Sequence, residues 1–407
     1  MYKNNKDLTN KVLLVAATAV ISFGISVLVF AGWLRVNPPG ITFDNKSVSK
    51  TAVSKFNSVR EILKSQYYEN VDDNTLIEGA ISGMAGAMGD RYTSYFSKDK
   101  WQMFQQDLTG SFVGIGVMVH TASDGLLTVM EVFEGSPAKA AGVLPGDKVV
   151  KVDGKDVSDE EEDTIIKMIK GKEGTEVQLA VLRPSESNLI ELHITRRRIK
   201  EENINSRMLS DNIGYIRIIK FDSEIARYFK DNIDSLTQKG MRGLVIDVRD
   251  NPGGYYNQVV SIADMLLPKC TIVYTEDKDQ KKEYKYSDAK QLNMPVIVLV
   301  NGNSASASEI LAGAIKDNKR GTLVGTRTYG KGLVQASFNL EDGSGLKVTV
   351  QRYFTPSGVC IQGKGIDPDI EVLQDEKYRS TPVSNIPQED DLQLSKALEL
   401  AESELRR

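Results

Sequence analysis

Three short stretches of this 407-residue chain hold the side chains and amides that acyl transfer needs. The first is Asn301-Gly302-Asn303-Ser304-Ala305-Ser306-Ala307-Ser308-Glu309, which follows the apolar run from Val296 to Val300. Ser306 and Glu309 have the spacing of a capping box, so Ser306 starts a helix with Glu309 reaching back to it. A serine there also sits among unpaired helix N–H groups, where the positive end of the helix dipole favours a developing anion. The Ala307 amide is then one oxyanion donor. The second stretch, Arg249-Asp250-Asn251-Pro252-Gly253-Gly254, follows another buried run, and Gly253 or Gly254, lacking a Cβ, can bring a second N–H close. The third is Gly330-Lys331-Gly332, with Gln335 four residues beyond the lysine. A lysine acts as a base only when neutral, and desolvation lowers its pKa by several units. Gln335 can orient the amine or the hydroxyl without adding charge. Taken separately, Ser306 is an ordinary helix cap and Lys331 a solvated turn lysine.

Composition narrows the alternatives. The chain has two histidines, His120 and His193, both in strand-like sequence far from the candidate nucleophile, which argues against a Ser-His-Asp triad or a histidine-rich metal site. Cys270 and Cys360 stand apart in apolar runs and read as buried thiols, with neither a metal knuckle nor a disulfide framework. Lys and Arg total 51 against 55 Asp and Glu, for a net charge of -4, so no basic face for nucleic acid is expected. The segment Gly325 to Gly332 nearly spells a phosphate-binding loop, but Gly332 offers no hydroxyl to Mg²⁺ and the residues after it alternate like a strand.

Those residues need elements to position them. Val12 to Trp33 is uncharged and, at ~1.5 Å per residue, long enough to cross a bilayer core of ~30 Å. Lys3, Lys6 and Lys11 before it place the short N-terminus in the cytoplasm and the rest on the extracytoplasmic side of the cell membrane, with a retained anchor favoured over a cleaved signal. Residues 36–108 read as a small helical region, with Asp72-Asp73-Asn74 as a break and cap. Residues 109–198 are β-rich, with a helix start at Ser136-Pro137, a stop at Gly142, a turn at Pro145-Gly146-Asp147, a hairpin turn at Asp153-Gly154 and a second helix over 159–170. From 199 to about 380 strands and helices alternate, as in an α/β domain, and a last amphipathic helix ends the chain within 381–407.

Two resemblances follow. Phe112-Val113-Gly114-Ile115-Gly116, with SPAKAAGVLPGDKVVKVDGKDV downstream, resembles a PDZ domain. That resemblance implies binding of a peptide tail as an added strand, its carboxylate held at the glycine-rich loop. Residues 50–370, and above all NGNSASASEILAGAIKDNKRGTLVGTRTYGKGLVQ, resemble the C-terminal processing peptidases, tail-specific serine proteases of family S41. The resemblance implies a multidomain α+β and α/β chain whose peptidase core is of the ClpP/crotonase-like type, with Ser306 as nucleophile, Lys331 as general base, Gln335 as third member, and Ala307 with Gly253 or Gly254 at the oxyanion. It also selects Ser306 over Ser304 and Ser308. It implies protein substrates with exposed C-terminal tails, no metal or cofactor, and a homodimer through the terminal helices. Arg91, in Asp90-Arg91-Tyr92-Thr93, stands where the family has proline, and Lys170, before Gly171, where it has arginine; both departures read as lying outside the catalytic set. The rival is a membrane-tethered PDZ scaffold that binds tails without catalysis.

Overall fold

The computed structural model describes residues 50–406 apart from 123, 187, 201, 211, 289 and 380. The apolar run from Val12 to Trp33 lies outside them, and no described helix is long and apolar enough to cross a membrane. The chain divides into two compact units, one ending at Met84 and the other beginning at Ala85. In the first, α1 (Lys50–Gln66) and α2 (Asp73–Gly86) are joined by the polar break around Asp72; the Asp72 carboxylate accepts from the Thr75 N–H, and Arg60 reaches Asp73 at 2.6 Å.

The second unit opens with β1 (Ser94–Phe96) and α3 (Lys98–Thr109). A β-rich module follows, made of β2 (Ser111–Gly114), β3 (Val117–Thr121), β4 (Leu127–Val132), β5 (Lys148–Val152), β6 (Lys155–Asp156), β7 (Glu176–Leu182), β8 (Ile190–Thr195) and β9 (Arg197–Lys200). It also carries α4 (Pro137–Ala140) and α5 (Glu162–Ile169). The turns follow their residues. Ser136 caps α4 by accepting from the Lys139 N–H, and Asp153 and Gly154 both take positive φ, as a two-residue hairpin turn requires. The Asp147 carboxylate is buried and pinned by Arg183 at 2.7 and 2.8 Å. The strands lie in the order β3-β4-β5-β7-β8 over a core that includes Val149, Val177 and Ile194, with α5 adding Ile165 and Ile169. β2 and β9 pair as the stem of the module, and Gly110 at its root packs so tightly on Asp222 that a Cβ would come within 2.8 Å.

The remaining chain forms β10 (Ile204–Met208), β11 (Ile213–Ile218), α6 (Ile225–Gln238), β12 (Gly243–Asp247), α7 (Tyr256–Leu266), β13 (Thr271–Asp277), β14 (Lys282–Tyr286), β15 (Val296–Val300), α8 (Ala307–Asp317), β16 (Thr322–Gly325), β17 (Leu333–Asn339), β18 (Gly345–Phe354), β19 (Ile370–Glu371) and α9 (Leu392–Leu405). The main sheet runs β10-β11-β12-β15-β16-β19, parallel except at β10. Every residue of β12 and β15 is buried, because α6, α7 and α8 cover one face and α9 the other, which is why these strands read as unbroken apolar runs. A second, antiparallel sheet joins β1, β18, β13 and β14, with β17 also on β18. Gly345 starts β18 because the indole of Trp101 fills the space a Cβ would take.

One correction concerns the cysteines, which are unpaired as expected but half-buried, with Cys270 beside Ser287. A charged cluster fastens α9. Arg249, fully buried, makes paired bonds to Asp391 at 2.8 Å and to Asp247 at 2.6 to 3.1 Å, and Tyr215 and Gln393 complete the set. Removing one partner of a buried ion cluster leaves charge without compensation. Arg249→Met should therefore cost about 3–5 kcal/mol in denaturant unfolding and loosen α9 first in hydrogen exchange. A loss below about 1 kcal/mol would mean the cluster does not hold the helix.

Candidate active site

The main sheet delivers two chain segments to one place, just past the C-terminal ends of β12 and β15. Asn251 joins them. Its side chain donates to the Ile218 carbonyl at 2.8 Å and accepts from the Gly253 N–H at 2.8 Å, while its own carbonyl accepts from Ala305 N–H and Ser308 Oγ, both at 3.0 Å. The three serines thereby separate. Ser304 donates to the Val248 carbonyl at 2.7 Å, Ser308 is spent on Asn251, and both are fully buried. Ser306 alone is partly exposed.

Ser306 is the N-cap of α8, as the capping-box spacing predicts, but its backbone lies at φ 57°, ψ −112°. A non-glycine residue in that region costs on the order of 1–3 kcal/mol and persists only where its surroundings over-determine it. Three contacts do so. The Ser306 N–H donates to Glu309 Oε2 at 2.9 Å, the buried Tyr353 hydroxyl donates to the Ser306 carbonyl at 3.1 Å, and Gly253 presses on the turn. A Cβ on Gly253 would stand 2.8 Å from Ser306 Cβ and 3.0 Å from Ala307 N. Gly254 is equally constrained, since its Cβ would meet the Phe221 carbonyl at 2.1 Å. The Gly253 N–H is occupied by Asn251, whereas Ala307 and Gly254 have no amide acceptor among the described residues.

Glu309 binds the Ser306 turn to the Lys331 loop. Its fully buried carboxylate takes Thr328 Oγ1 at 2.6 Å and Gly330 N–H at 2.7 Å on Oε1, and Ser306 N–H and Lys331 N–H, each at 2.9 Å, on Oε2. Loop 361–365 packs against the glycines on either side of the lysine. The Gly332 N–H donates to the Gln362 side chain, and Cβ atoms on Gly330 and Gly332 would come within 2.9 and 2.7 Å of that loop's backbone amides. The Lys331 ammonium stands 4.7 Å from the centroid of the Tyr92 ring and has no ion pair with a described carboxylate. Burial pulls its pKa below that of a free lysine, and Lys347 and Arg91 add to the shift while Asp90 and Glu309 oppose it.

Gln335, on β17, donates to Thr349 Oγ1 at 3.3 Å, and Thr349 in turn donates to Asp90. Asp90 also accepts from Thr93 Oγ1 and Tyr92 N–H at 2.8 and 3.0 Å, which holds its pKa below the ordinary carboxylate value against the opposing effect of burial. Gln335 thus reaches the site through the Asp90 turn, with no bond of its own to Ser306 or Lys331. Here the sequence reading is corrected. The Asp90–Thr93 turn does touch the candidate catalytic set, because its Tyr92 lies under the lysine. The unusual arginine in that turn was the available signal.

In the β-rich module, Phe112, Val113 and Gly114 lie on β2, and Ile115 is buried with its carbonyl accepting from Ala138 N–H at 2.8 Å. Gly116 has φ +82° and lies against Ser136, where a Cβ would come within 2.4 Å. Among the described residues β3, the next strand, pairs only with β4, and its other edge has no strand partner, with Thr121 at its end donating its N–H to Glu162 of α5. Lys170, just past α5, brings its ammonium 5.7 Å from the Phe112 ring.

These features define a class: an α/β hydrolytic domain with a serine at a helix N-terminus and a desolvated lysine on the adjoining loop, fused to a β-rich module with an edge strand. Family models agree, matching peptidase family S41 over residues 212–372, a PDZ domain over 113–194 and an activating protease CtpB N-terminal domain over 39–100. The carboxy-terminal processing protease CtpA of Bacillus subtilis is 35% identical over 360 residues, 88% of this chain and 76% of that one. The carboxy-terminal-processing protease of Bartonella bacilliformis is 36% identical over 375 residues, 90% and 85% of the two chains. A putative S41 protease from Bacteroides fragilis, 16% identical, shares the fold with a TM-score of 0.53 over 90% of this chain and 99% of its own. The chain belongs to the carboxy-terminal processing serine proteases, peptidase family S41.

Glu309→Gln keeps the size of the side chain but replaces one acceptor oxygen by an NH₂, so buried donors lose their partner at about 1–3 kcal/mol each. Peptide hydrolysis should fall by about 10²-fold or more through displacement of Ser306 relative to Lys331, with the far-UV circular dichroism retained. Activity within about threefold of wild type would show that the shared carboxylate does not set the geometry.

Proposed function

We propose that the chain is an endopeptidase that cuts protein substrates near their C-terminus, with Ser306 as nucleophile and Lys331 as general base. The observation that carries this is the shared oxygen: Glu309 Oε2 accepts the backbone N–H of both residues at 2.9 Å, so nucleophile and base move as one piece. Neutral Lys331 takes the Ser306 proton as Oγ attacks the scissile carbonyl. The N–H groups of Ala307 and Gly254 receive the oxyanion, and Gly253, whose own N–H is engaged, contributes the space for their approach. Lys331 passes its proton to the leaving amine, then activates the water that frees the acyl group. Gln335 acts through Thr349 and Asp90 on the Tyr92 turn beneath the lysine.

The tail of the substrate adds to the open edge of β3, its carboxylate facing the Phe112–Gly116 loop. The apolar run from Val12 to Trp33, behind three lysines, supports a membrane anchor with the peptidase on the extracytoplasmic side.

Cleavage of an unstructured polypeptide with an apolar C-terminus by purified residues 36–407 tests this directly. Ser306→Ala should lower turnover by at least about 10³-fold. Lys331→Arg should do the same with the fold intact, because a guanidinium does not release its proton. Equal silence of wild type and Ser306→Ala over many tails would favour the non-catalytic tail-binding scaffold.

The pH profile has a fixed sign. Lys331 works only when deprotonated, so kcat/KM rises with pH, and its midpoint falls below the 10.5 of a free lysine. Lys347→Met removes a cation that depresses that pKa, so the rising limb should move to higher pH. A limb that stays in place would remove Lys347 from the account.

A further inference from the structure

Arg91 has bonding capacity that the chemistry above leaves unused. Its Nη2 donates to the hydroxyls of Tyr92 at 2.8 Å and Tyr329 at 2.6 Å, and its guanidinium carbon lies 4.9 and 5.4 Å from the two ring centroids. Tyr92 is the ring beneath the Lys331 ammonium, and the Tyr329 N–H donates to the Ser304 carbonyl, two residues before the nucleophile. The guanidinium therefore spans the turn under the base and the loop behind the serine. It is exposed, it has no ion pair with a described carboxylate, and its Nε and Nη1 hydrogens have no described acceptor.

Charge around it is unbalanced. Lys331 feels the charge of both Arg91 and Lys347, and neither lysine has a described ion pair. The carboxylate beside them, Asp90, is engaged by Tyr92, Thr93 and Thr349. A guanidinium tethered through Nη2 to two tyrosine hydroxyls, with Nε and Nη1 still free to donate, suits single charge-assisted hydrogen bonds to a carboxylate.

The reaction fixes which part of the substrate comes near. The base returns its proton to the leaving amine, so the surface beside Lys331 faces the C-terminal fragment that is released. We propose that Arg91 is a specificity-determining residue that binds a carboxylate on that fragment, either an acidic side chain shortly after the scissile bond or the fragment's terminal carboxylate. The inference rests on the peptidase reading above and adds a substrate preference to it.

The test digests a pool of unstructured polypeptides with the purified enzyme and maps the cuts by mass spectrometry. Matched peptides built on a mapped site then carry Glu, Gln or Lys at each of the three positions after the cut, with free or amidated C-termini. Wild type should favour Glu over Gln by roughly fivefold in kcat/KM, as one exposed charge pair permits, with the preference shrinking in high salt. In Arg91→Gln and Arg91→Pro the ratio should approach one, and Arg91→Lys should keep part of it. If the terminal carboxylate is the ligand, amidating a short leaving fragment carries the penalty instead and the internal Glu does not. The inference is overturned by wild-type cleavage with no preference in either arm, or by a preference that survives Arg91→Gln. Absence of any cleavage by wild type overturns the peptidase reading and this inference together.

Discussion

Glu309 is a buried carboxylate with no ion pair among the described residues. Withdrawing such a group from water costs many kcal/mol unless hydrogen bonds replace the lost hydration, and here four donors do: the amides of Ser306, Gly330 and Lys331 and the hydroxyl of Thr328. None of the four can drift without leaving the charge short of a partner. The Ser306 turn and the Lys331 loop are separated by twenty-odd residues that form α8 and β16, yet they share a single oxygen. The price of keeping Ser306 at an unfavourable φ and ψ is met largely by this network, with Tyr353 and Gly253 closing the remaining directions.

The rest of the fold follows from holding that carboxylate dry. β15 is apolar along its whole length and β12 as far as Asp247 at its end, so helices must cover both faces, and polar atoms collect at the strand ends. Asn251 spans the two ends with four hydrogen bonds, and Arg249, two residues earlier, fixes α9 over the far face through Asp391. The catalytic strand end and the C-terminal helix thus hang from the same short turn. A defect in α9 propagates to the site through Arg249, Asp250 and Asn251, because Asp250, at φ 59°, also accepts from the Val383 N–H of the C-terminal segment.

Much of this was legible in the sequence because it is local. The alternation of apolar strands and helices from residue 213 onward, the Ser136 cap and the Asp153-Gly154 turn all follow from neighbours within a few positions. The difference among the three serines was not local: Ser304, Ser306 and Ser308 are chemically alike, and what separates them is which hydroxyls meet carbonyls of Val248 and Asn251, more than fifty residues away. The Asp90 turn was hidden for the same reason. Its partner Thr349 lies more than 250 residues downstream on β18, and no periodicity links them. Half-buried cysteines were missed because apolar neighbours in sequence do not fix how deep a strand edge lies.

A lysine base sets a demand opposite to the usual one for a buried cation. An ion pair would hold the ammonium charged and useless, so the site must surround Lys331 without giving it a carboxylate. Burial removes water from Lys331, the largest cause of its depressed pKa, and the glycines on either side let loop 361–365 pack against the backbone there. The surface nearest the amine is an aromatic ring, which stabilises a cation far less than a carboxylate does. The one acidic side chain in the adjoining turn, Asp90, spends its oxygens on Tyr92, Thr93 and Thr349, which keeps it ionised and shapes the turn, and its charge opposes the lysine's depressed pKa without forming an ion pair. Placing Arg91 next in sequence then adds positive potential on the open side, a change that depresses the lysine further and leaves a cation facing the departing fragment.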